Sequence, residues 1–210
     1  LLAKSAEPVA RARSLLRRLR VNPEPEDGAA DLRPVRAAFL VRDNLRQRRA
    51  IERSYIDALS RARERIDLVS PYFYPGRLFR RVLHAAARRG VQVRLLLQGK
   101  LDYRFAGLAA SVLYDELLSR GIRIYEYTPA FLHAKVALVD DDWATVGSSN
   151  IDPLSLLLNL EANVVVRDAA FNRALAAAFE QAIGLSREVT APPVASGWVR
   201  LVSNCEPSRS

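Results

Sequence analysis

Two side chains that can handle a phosphate stand two positions apart near the middle of the chain. His133 and Lys135 begin the pattern H-x-K-x4-D-x6-G-S-x-N. The remaining fixed positions of this pattern are Asp140, Gly147, Ser148 and Asn150. If the segment is a β-strand, this spacing places the histidine and the lysine on one face. An imidazole beside a fixed positive charge suits nucleophilic or proton-transfer chemistry on a phosphate.

Residue types alone leave three roles open for His133: a structural histidine in the core, a metal ligand or a catalytic group. A metal site is disfavoured because no second histidine or cysteine lies nearby, and aspartates alone suit only a hard cation. The sequence therefore implies neither a metal nor a cofactor. A structural role leaves Lys135 unexplained, because a lysine on a buried strand face needs an anionic partner.

A bound phosphate would provide that partner. The small-residue turn that follows adds the Ser148 hydroxyl, the Asn150 amide and backbone N–H groups, which are donors for further phosphate oxygens. An imidazole that acts in catalysis also needs a group to fix its tautomer. Glu161, at the start of the next predicted strand, is the best candidate for that group.

Composition restricts the class of protein and its partners. With 210 residues, half of them hydrophobic, the chain suffices for one ordinary domain with a leader, or for two small lobes. The net charge of +9 favours phosphate-bearing partners, either nucleic acid or an anionic membrane. A general preference for arginine over lysine explains any single arginine equally well. The chain starts with Leu-Leu and contains no methionine, which is expected of a piece of a longer protein.

The pattern of apolar runs predicts three segments: a basic helix with a Pro-rich linker (1–36), a folded domain (37–185) and a loosely ordered tail (186–210). Within the domain, near-continuous apolar strands alternate with helices, two of which are closed by Gly90 and Gly121. Asp168 is placed to cap a further helix. We expect an α/β fold with a mixed, largely parallel β-sheet flanked by helices on both faces.

Two apolar features bear on the substrate. The aromatic turn at 71–75 follows a predicted strand at its C-terminal end, where open α/β sheets carry ligand loops, so Tyr72 and Phe73 are candidates to line a substrate site. The apolar stretch 154–160 could face acyl chains or belong to the core. The basic helix predicted at 8–20 could contact anionic lipid or lie solvated on the surface.

The six fixed positions of the pattern match the HKD motif of the phospholipase D superfamily, and Glu161 falls where that family has an acidic partner of its histidine. Further segments resemble the C-terminal half of bacterial cardiolipin synthases. These segments are 71–73, 89–94, 124–127 and 159–163, and the similarity extends over about residues 37–183.

This resemblance implies a metal-free, two-step transfer of a phosphatidyl group through a phosphohistidine. A histidine from a second HKD motif would move the protons, and Lys135 and Asn150 would hold the phosphoryl oxygens. In this family Asp140 acts mainly as a structural partner away from the phosphate. The implied partners are phosphatidylglycerol or cardiolipin, the membrane surface and a second HKD half. The implied location is the cytoplasmic side of the bacterial inner membrane, as a peripheral protein.

The chain itself has no second HKD motif, because its other histidine, His84, lies in a basic helix without a matching lysine. The second motif is expected from upstream sequence or from a second copy. Two further functions compete with phosphatidyl transfer: a phospholipase D-type phosphodiesterase or endonuclease that acts as a dimer, and a binding module for phosphate or anionic lipid. The aromatic turn and the apolar stretch favour lipid over nucleic acid.

Overall fold

Eight β-strands and four α-helices make up the part of the chain that the computed structural model describes, which is residues 34–43, 47, 49–99, 106–152 and 159–191. The side chains of 106–111 are not described. The strands are β1 (Arg36–Arg42), β2 (Arg65–Ser70), β3 (Gln92–Gln98), β4 (Arg123–Tyr127), β5 (Val136–Val139), β6 (Trp143–Gly147), β7 (Glu161–Arg167) and β8 (Ser186–Val189). The helices are α1 (Ala50–Arg61), α2 (Arg77–Arg88), α3 (Ala106–Leu118) and α4 (Ala169–Gly184).

All eight strands form one sheet with the order β1-β7-β6-β5-β2-β3-β4-β8. Strands β2, β3 and β4 pair in parallel, and the other five neighbouring pairs are antiparallel. The predicted mixed α/β class is confirmed, although its parallel part is smaller than predicted. A near-continuous apolar strand indicates that both faces of the strand are buried. It does not indicate direction, because β5 is also buried on both faces and pairs antiparallel.

Helices cover both faces of the sheet, as predicted. Side chains from α1, α2 and α3 share the larger core cluster with one set of alternating strand residues, which includes Leu68 and Leu95. On the other face, Phe179 of α4 packs among the residues between them, such as Val69 and Leu96. This alternation is the period of two that a strand imposes on its side chains. The sheet is therefore the rigid middle layer on which the loops of the site are mounted.

Most predicted element ends are confirmed. Gly90 and Gly121 have φ of +89° and +76°, which glycine adopts at little cost, and each follows a helix. The Asp168 carboxylate accepts a hydrogen bond of 2.7 Å from the N–H of Phe171 and caps α4. The apolar pattern predicts a helix over 78–89 and a strand over 91–97, and the ends of α2 and β3 each lie within one residue of these bounds.

The prediction of a loosely ordered tail from Ser186 is wrong for the four residues of β8, which pair antiparallel with β4. This strand carries polar side chains, and its pairing is supported by two ion pairs, Arg123–Glu188 and Arg187–Glu126. The basic helix at 8–20, the linker up to residue 33, residues 154–158 of the apolar stretch and the tail from 192 lie outside the described residues. The three-segment division itself stays a prediction.

Candidate active site

The residues of the pattern lie mostly at one edge of the sheet, beyond the C-terminal ends of β2, β3 and β4. The segment 131–135 arrives at this edge before β5 turns back along β2. The side-chain oxygen of Gln98, the last residue of β3, accepts a hydrogen bond from the N–H of Leu132. The N–H of Gly147 donates to the carbonyl of Lys135 at 3.1 Å. These bonds hold the histidine segment beside the turn that ends β6.

The apolar pattern predicts a strand over 132–139, but strand β5 begins only at Val136, so that prediction is wrong for His133 and Lys135. The side chains nevertheless meet. The Lys135 ammonium lies 3.0 Å from Nε2 and 3.3 Å from Nδ1 of His133, and donates to the His133 carbonyl at 2.8 Å. An ammonium can donate only to a ring nitrogen that has a free lone pair. The contact therefore fits an unprotonated nitrogen, which is the form that can attack phosphorus.

The two side chains differ in their access to solvent. His133 is exposed and its ring stacks beside Phe131 at 6.4 Å between centroids, whereas Lys135 is 7% exposed. Burial lowers the pKa of Lys135, and the negative charge of Glu161 acts against that shift. A reachable imidazole thus stands over a cation that is held in place by its surroundings.

Glu161 forms no hydrogen bond or ion pair with His133 in the described structure, although the sequence predicts it as the partner of the imidazole. Its carboxylate accepts a hydrogen bond from the Ser148 hydroxyl instead. The backbone of Ser148 is also fixed, because its N–H donates to the Ala162 carbonyl at 3.0 Å and its Oγ accepts from the Ala162 N–H at 3.1 Å. Glu161 therefore positions the Ser148 turn through this hydrogen bond. Its negative charge also attracts the Lys135 ammonium, without a direct ion pair. Its role towards His133 stays a prediction.

Asn163 is a site-supporting residue that the motif does not reveal. It is 1% exposed; its Nδ2 donates to the Thr145 hydroxyl at 3.2 Å, and its Oδ1 accepts from the Ser149 N–H at 3.4 Å. The Tyr55 phenol in α1 also bonds it, which partly offsets the rise in the phenol's pKa caused by burial. An asparagine at an inward position of β7 was the available signal, because a buried amide needs several partners.

Arg42 is a second such residue. It ends β1 opposite Glu161, is 1% exposed, and its guanidinium donates to the Asn159 carbonyl just before β7. A buried arginine is rare unless its charge is compensated. It fixes the chain where it enters the strand that starts with Glu161.

The aromatic turn joins the same edge of the sheet. Phe73 forms an isolated parallel bridge with Ile151, and the Tyr74 N–H donates to the Ile151 carbonyl at 2.8 Å. This connection places the turn beside Asn150. Of the two predicted substrate-lining residues, Tyr72 is exposed, but Phe73 is buried and packs edge-to-face on Phe79. The burial of Phe73 argues against direct contact with substrate.

Asp140 lies at the far end of β5, separated from Lys135 by about 16 Å of extended chain. Its carboxylate accepts hydrogen bonds of 2.8–3.2 Å from the N–H groups of Arg63, Glu64 and Arg65. Its φ of +49° lies in the left-handed region, which aspartate tolerates better than most residues. Asp140 therefore lies away from the phosphate-handling side chains. It stabilises the turn between β5 and β6 and joins it to the loop before β2.

Replacing Asp140 by Ala should lower the free energy of unfolding by about 3 kcal/mol, because three N–H groups lose a charged acceptor and alanine is strained at positive φ. Asp140→Asn should lose about half as much, since asparagine keeps one acceptor oxygen and tolerates that φ. The matched control is Asp142→Ala, an exposed residue of the same turn, which should stay within about 0.5 kcal/mol of the parent. Urea unfolding measures all three. Equal losses at the two aspartates would contradict the assignment.

Across the described ranges, no cluster of three or more histidine, cysteine and acidic side chains could hold a metal ion. No helix among the described residues is long and apolar enough to span a bilayer. What the edge does contain is an accessible imidazole, a buried ammonium and a hydroxyl-bearing turn. These groups can attack a phosphorus atom and stabilise charge on its oxygens.

This fold and this arrangement define a phospholipase D-like domain. Among solved structures, Nuc from Salmonella typhimurium, a phospholipase D family member, superposes with a TM-score of 0.63 at 18% identity. The superposition covers 75% of this chain and all of Nuc. At that identity the likeness concerns the fold alone.

Residues 55–183 match the family model described as the phospholipase D-like domain of cardiolipin synthase, and the chain belongs to that family. It is 49% identical over 134 residues to Cardiolipin synthase B of Escherichia coli (strain K12), which is 64% of this chain and 32% of that protein. It is 38% identical over 136 residues to Cardiolipin synthase A of Pseudomonas fluorescens (strain SBW25), which is 65% of this chain and 28% of the relative. The chain thus matches about a third of the length of these curated relatives.

Proposed function

We propose that this chain is one half of a phosphatidyltransferase that makes cardiolipin, and that it transfers a phosphatidyl group to the glycerol hydroxyl of phosphatidylglycerol. The observation that carries the proposal is the exposed His133 imidazole, which lies within 3.3 Å of the buried Lys135 ammonium. Membership of the cardiolipin synthase family supports the lipid substrate. The donor is an anionic phospholipid such as phosphatidylglycerol itself.

The reaction runs in two balanced displacements. A histidine nitrogen attacks the phosphorus of the donor, a P–N bond forms, and the P–O bond to the leaving alcohol breaks as that oxygen takes a proton from a second histidine. The acceptor hydroxyl then gives a proton to the second histidine while its oxygen attacks phosphorus and the P–N bond breaks. His133 fills one of these two roles, and a histidine from another HKD motif fills the other.

The remaining residues of the site hold charge and geometry. Lys135 stabilises the phosphoryl oxygens, whose negative charge grows towards the transition state. Asn150 donates to the same group. Ser148 gives its single hydroxyl hydrogen to Glu161, so it donates to the phosphate only when that bond is exchanged for one to a phosphoryl oxygen. Tyr72, exposed beside the turn, lines the approach to the site. Asp140 maintains the fold of the β5–β6 turn.

The second motif comes from sequence preceding this segment or from a second copy of the chain, because these 210 residues contain only one. The paired halves work at an anionic lipid surface. We place them on the cytoplasmic side of the bacterial inner membrane as peripheral protein, since the acceptor and donor lipids reside in that membrane.

A second candidate function is a phospholipase D-type phosphodiesterase or endonuclease that acts as a dimer of halves. The observation in its favour is the net charge of +9, which would attract a nucleic-acid backbone as well as a lipid headgroup. The experiment described next distinguishes this function from phosphatidyl transfer.

The test supplies the missing half from a known enzyme. The aligned 134 residues replace their counterpart in Cardiolipin synthase B of Escherichia coli, where 49% identity allows the cores to match. The purified chimera is incubated with phosphatidylglycerol vesicles and, separately, with single-stranded DNA. We expect cardiolipin and released glycerol, in equal amounts, and intact DNA. The isolated chain as a monomer should show little or no transfer.

The controls are the unmodified synthase and the same synthase with the matching segment deleted. Cleaved DNA with unchanged lipid would replace the first function by the second. A folded chimera that turns over neither substrate would contradict both functions, and substantial lipid transfer by the monomeric chain would remove the need for a second motif.

A further inference from the structure

A basic groove of about 360 Å³ lies between α2 and α3, away from the His133 loop, and we call it the arginine groove. Its lining includes the arginines Arg77, Arg80, Arg81, Arg88 and Arg120. The other charged or titratable residues there are His84 and Glu116. Four of the arginines and the histidine belong to α2, where spacings of three, four and seven residues bring them to one side of the helix.

The positive charge of the arginine groove is not neutralised within the described structure. Glu116 pairs with Arg80, and its other oxygen lies 3.6 Å from Nε2 of His84. Arg77, Arg81 and Arg88 are exposed and form no ion pair with any described acidic residue. Like charges this close together on a helix repel one another, so the protein without a bound anion is destabilised at this helix. An anion in the groove would relieve that repulsion.

Two buried nitrogens also point to a ligand. Nε of Arg80 and Nε2 of His84 are inaccessible to solvent and have no hydrogen-bond partner among the described residues. Buried polar groups in folded proteins are nearly always hydrogen-bonded, because an unmade bond is costly. Both belong to side chains that line the arginine groove.

The surroundings of the groove favour a lipid surface over a nucleic acid. Leu78, three residues before Arg81 and hence its neighbour on α2, is 46% exposed. Val112, four residues before Glu116 on α3, is 65% exposed. Single-stranded nucleic acids are held by aromatic side chains on which bases stack, and the described lining of the groove contains no phenylalanine, tyrosine or tryptophan. Cations flanked by exposed aliphatic side chains are typical of segments that lie at a membrane interface.

We propose that the arginine groove binds the phosphate of an anionic phospholipid headgroup and docks the domain on a membrane surface, separately from the substrate in the His133 site. Arg77, at the start of α2, is separated by one residue from the aromatic turn that borders the active-site edge. The groove thus begins at that edge and extends along α2. A domain docked in this way has its active-site edge close to the lipid layer.

The binding test uses the intact chain, because docking requires no turnover. Cosedimentation is measured with vesicles of phosphatidylcholine alone and with vesicles that also contain phosphatidylglycerol. The double variant Arg77→Gln/Arg81→Gln removes two exposed cations that make no described ion pair, so its fold is retained. We expect its binding to the anionic vesicles to be roughly 30-fold weaker. The matched control, Arg53→Gln/Arg173→Gln, removes the same charge from exposed positions on α1 and α4 and should bind within about twofold of the parent.

A second measurement observes the groove directly. Burial is the main cause that lowers the pKa of His84; the charge of Glu116 acts against it, and Arg120, Arg80 and Arg88 reinforce it. A phosphate in the groove should raise that pKa. NMR titration of His84 with short-chain phosphatidylglycerol should show this rise, and the same titration with short-chain phosphatidylcholine should not.

Loss of binding in the double variant together with the His84 response supports the proposal. Equal losses in the two charge-matched variants would reduce the effect to net charge and overturn it. Parent-like binding of the double variant to the anionic vesicles would overturn the proposal too. So would a groove that binds single-stranded DNA but not anionic lipid. A catalytically silent chimera would leave this result unchanged, so the proposed function and the docking surface can fail separately.

Discussion

Replacing His133 by Ala should lower the rate of phosphatidyl transfer by at least about a hundredfold if the imidazole moves protons, and by up to about a millionfold if it attacks phosphorus. Either loss follows because His133 is the only imidazole at this site among the described residues. The measurement is the initial rate of cardiolipin formation by the chimera. Retained turnover would remove His133 from the mechanism.

The same variant can tell the two roles apart. The test uses a phosphatidyl donor whose leaving group is p-nitrophenolate. This group departs without taking a proton, so the first step no longer needs a general acid. If His133 moves protons, His133→Ala should release p-nitrophenol in a burst and then stall as the covalent enzyme. If His133 is the nucleophile, no burst should occur.

Stability provides the control for this variant. The His133 side chain is exposed and its ring contacts are with Phe131 and the Lys135 ammonium. Substitution at such a position should change the free energy of unfolding by less than about 0.5 kcal/mol. A larger fall would mean that the loss of activity reflects unfolding.

Gly147→Ala should have the largest effect on stability, at least about 3 kcal/mol, because there is no room for a methyl group. A Cβ atom at this position would lie 2.3 Å from Oδ1 and 2.4 Å from Cγ of Asn163, and 2.5 Å from the Ala162 carbonyl oxygen. The backbone of β6 and β7 would have to separate. Since Ser148 and Asn150 lie within the next three positions, transfer should be lost along with stability. Thermal and urea unfolding of the isolated chain measure the effect.

Two further variants make this prediction sharp. Gly184→Ala, at the end of α4, has open space around the new Cβ and should be neutral or slightly stabilising. Asn163→Ala removes the amide that the methyl group would strike but leaves the Ala162 carbonyl. The double variant Gly147→Ala/Asn163→Ala should therefore lose less than the sum of the two single losses. Strict additivity would mean that the steric contact is not the cause.

The helices and the central strands of this fold could be predicted from the sequence because their signals are local. Apolar periodicity, glycines after helices and the Asp168 cap each act within one element. Pairing direction is not local: an apolar strand looks the same whether its neighbour runs parallel or antiparallel. Strand β8 was missed because its stability comes from partners far away in sequence, such as Arg123, rather than from apolar side chains of its own.

The site was predictable in its residue types but less so in its contacts. The spacing of His133 and Lys135 indicated that the two side chains meet, which they do, although on an irregular segment. That segment is held by the Gln98 side chain and the Gly147 N–H, and no local pattern encodes either bond. Asn163 and the Glu161–Ser148 bond were unpredictable for the same reason, since a polar residue on a buried strand face reveals a need for partners but not their identity.

The Lys135 ammonium is held by a neutral carbonyl, that of His133, and not by a carboxylate in direct contact. A lysine clamped in an ion pair would first have to break that pair before it could serve a phosphate. Here the ammonium is already in position and has no ion pair to break, so little reorganisation energy is needed when negative charge develops on phosphorus-bound oxygens. Folding of the chain thus places the ammonium in advance, and the activation free energy of phosphoryl transfer is lower by the reorganisation that is no longer needed.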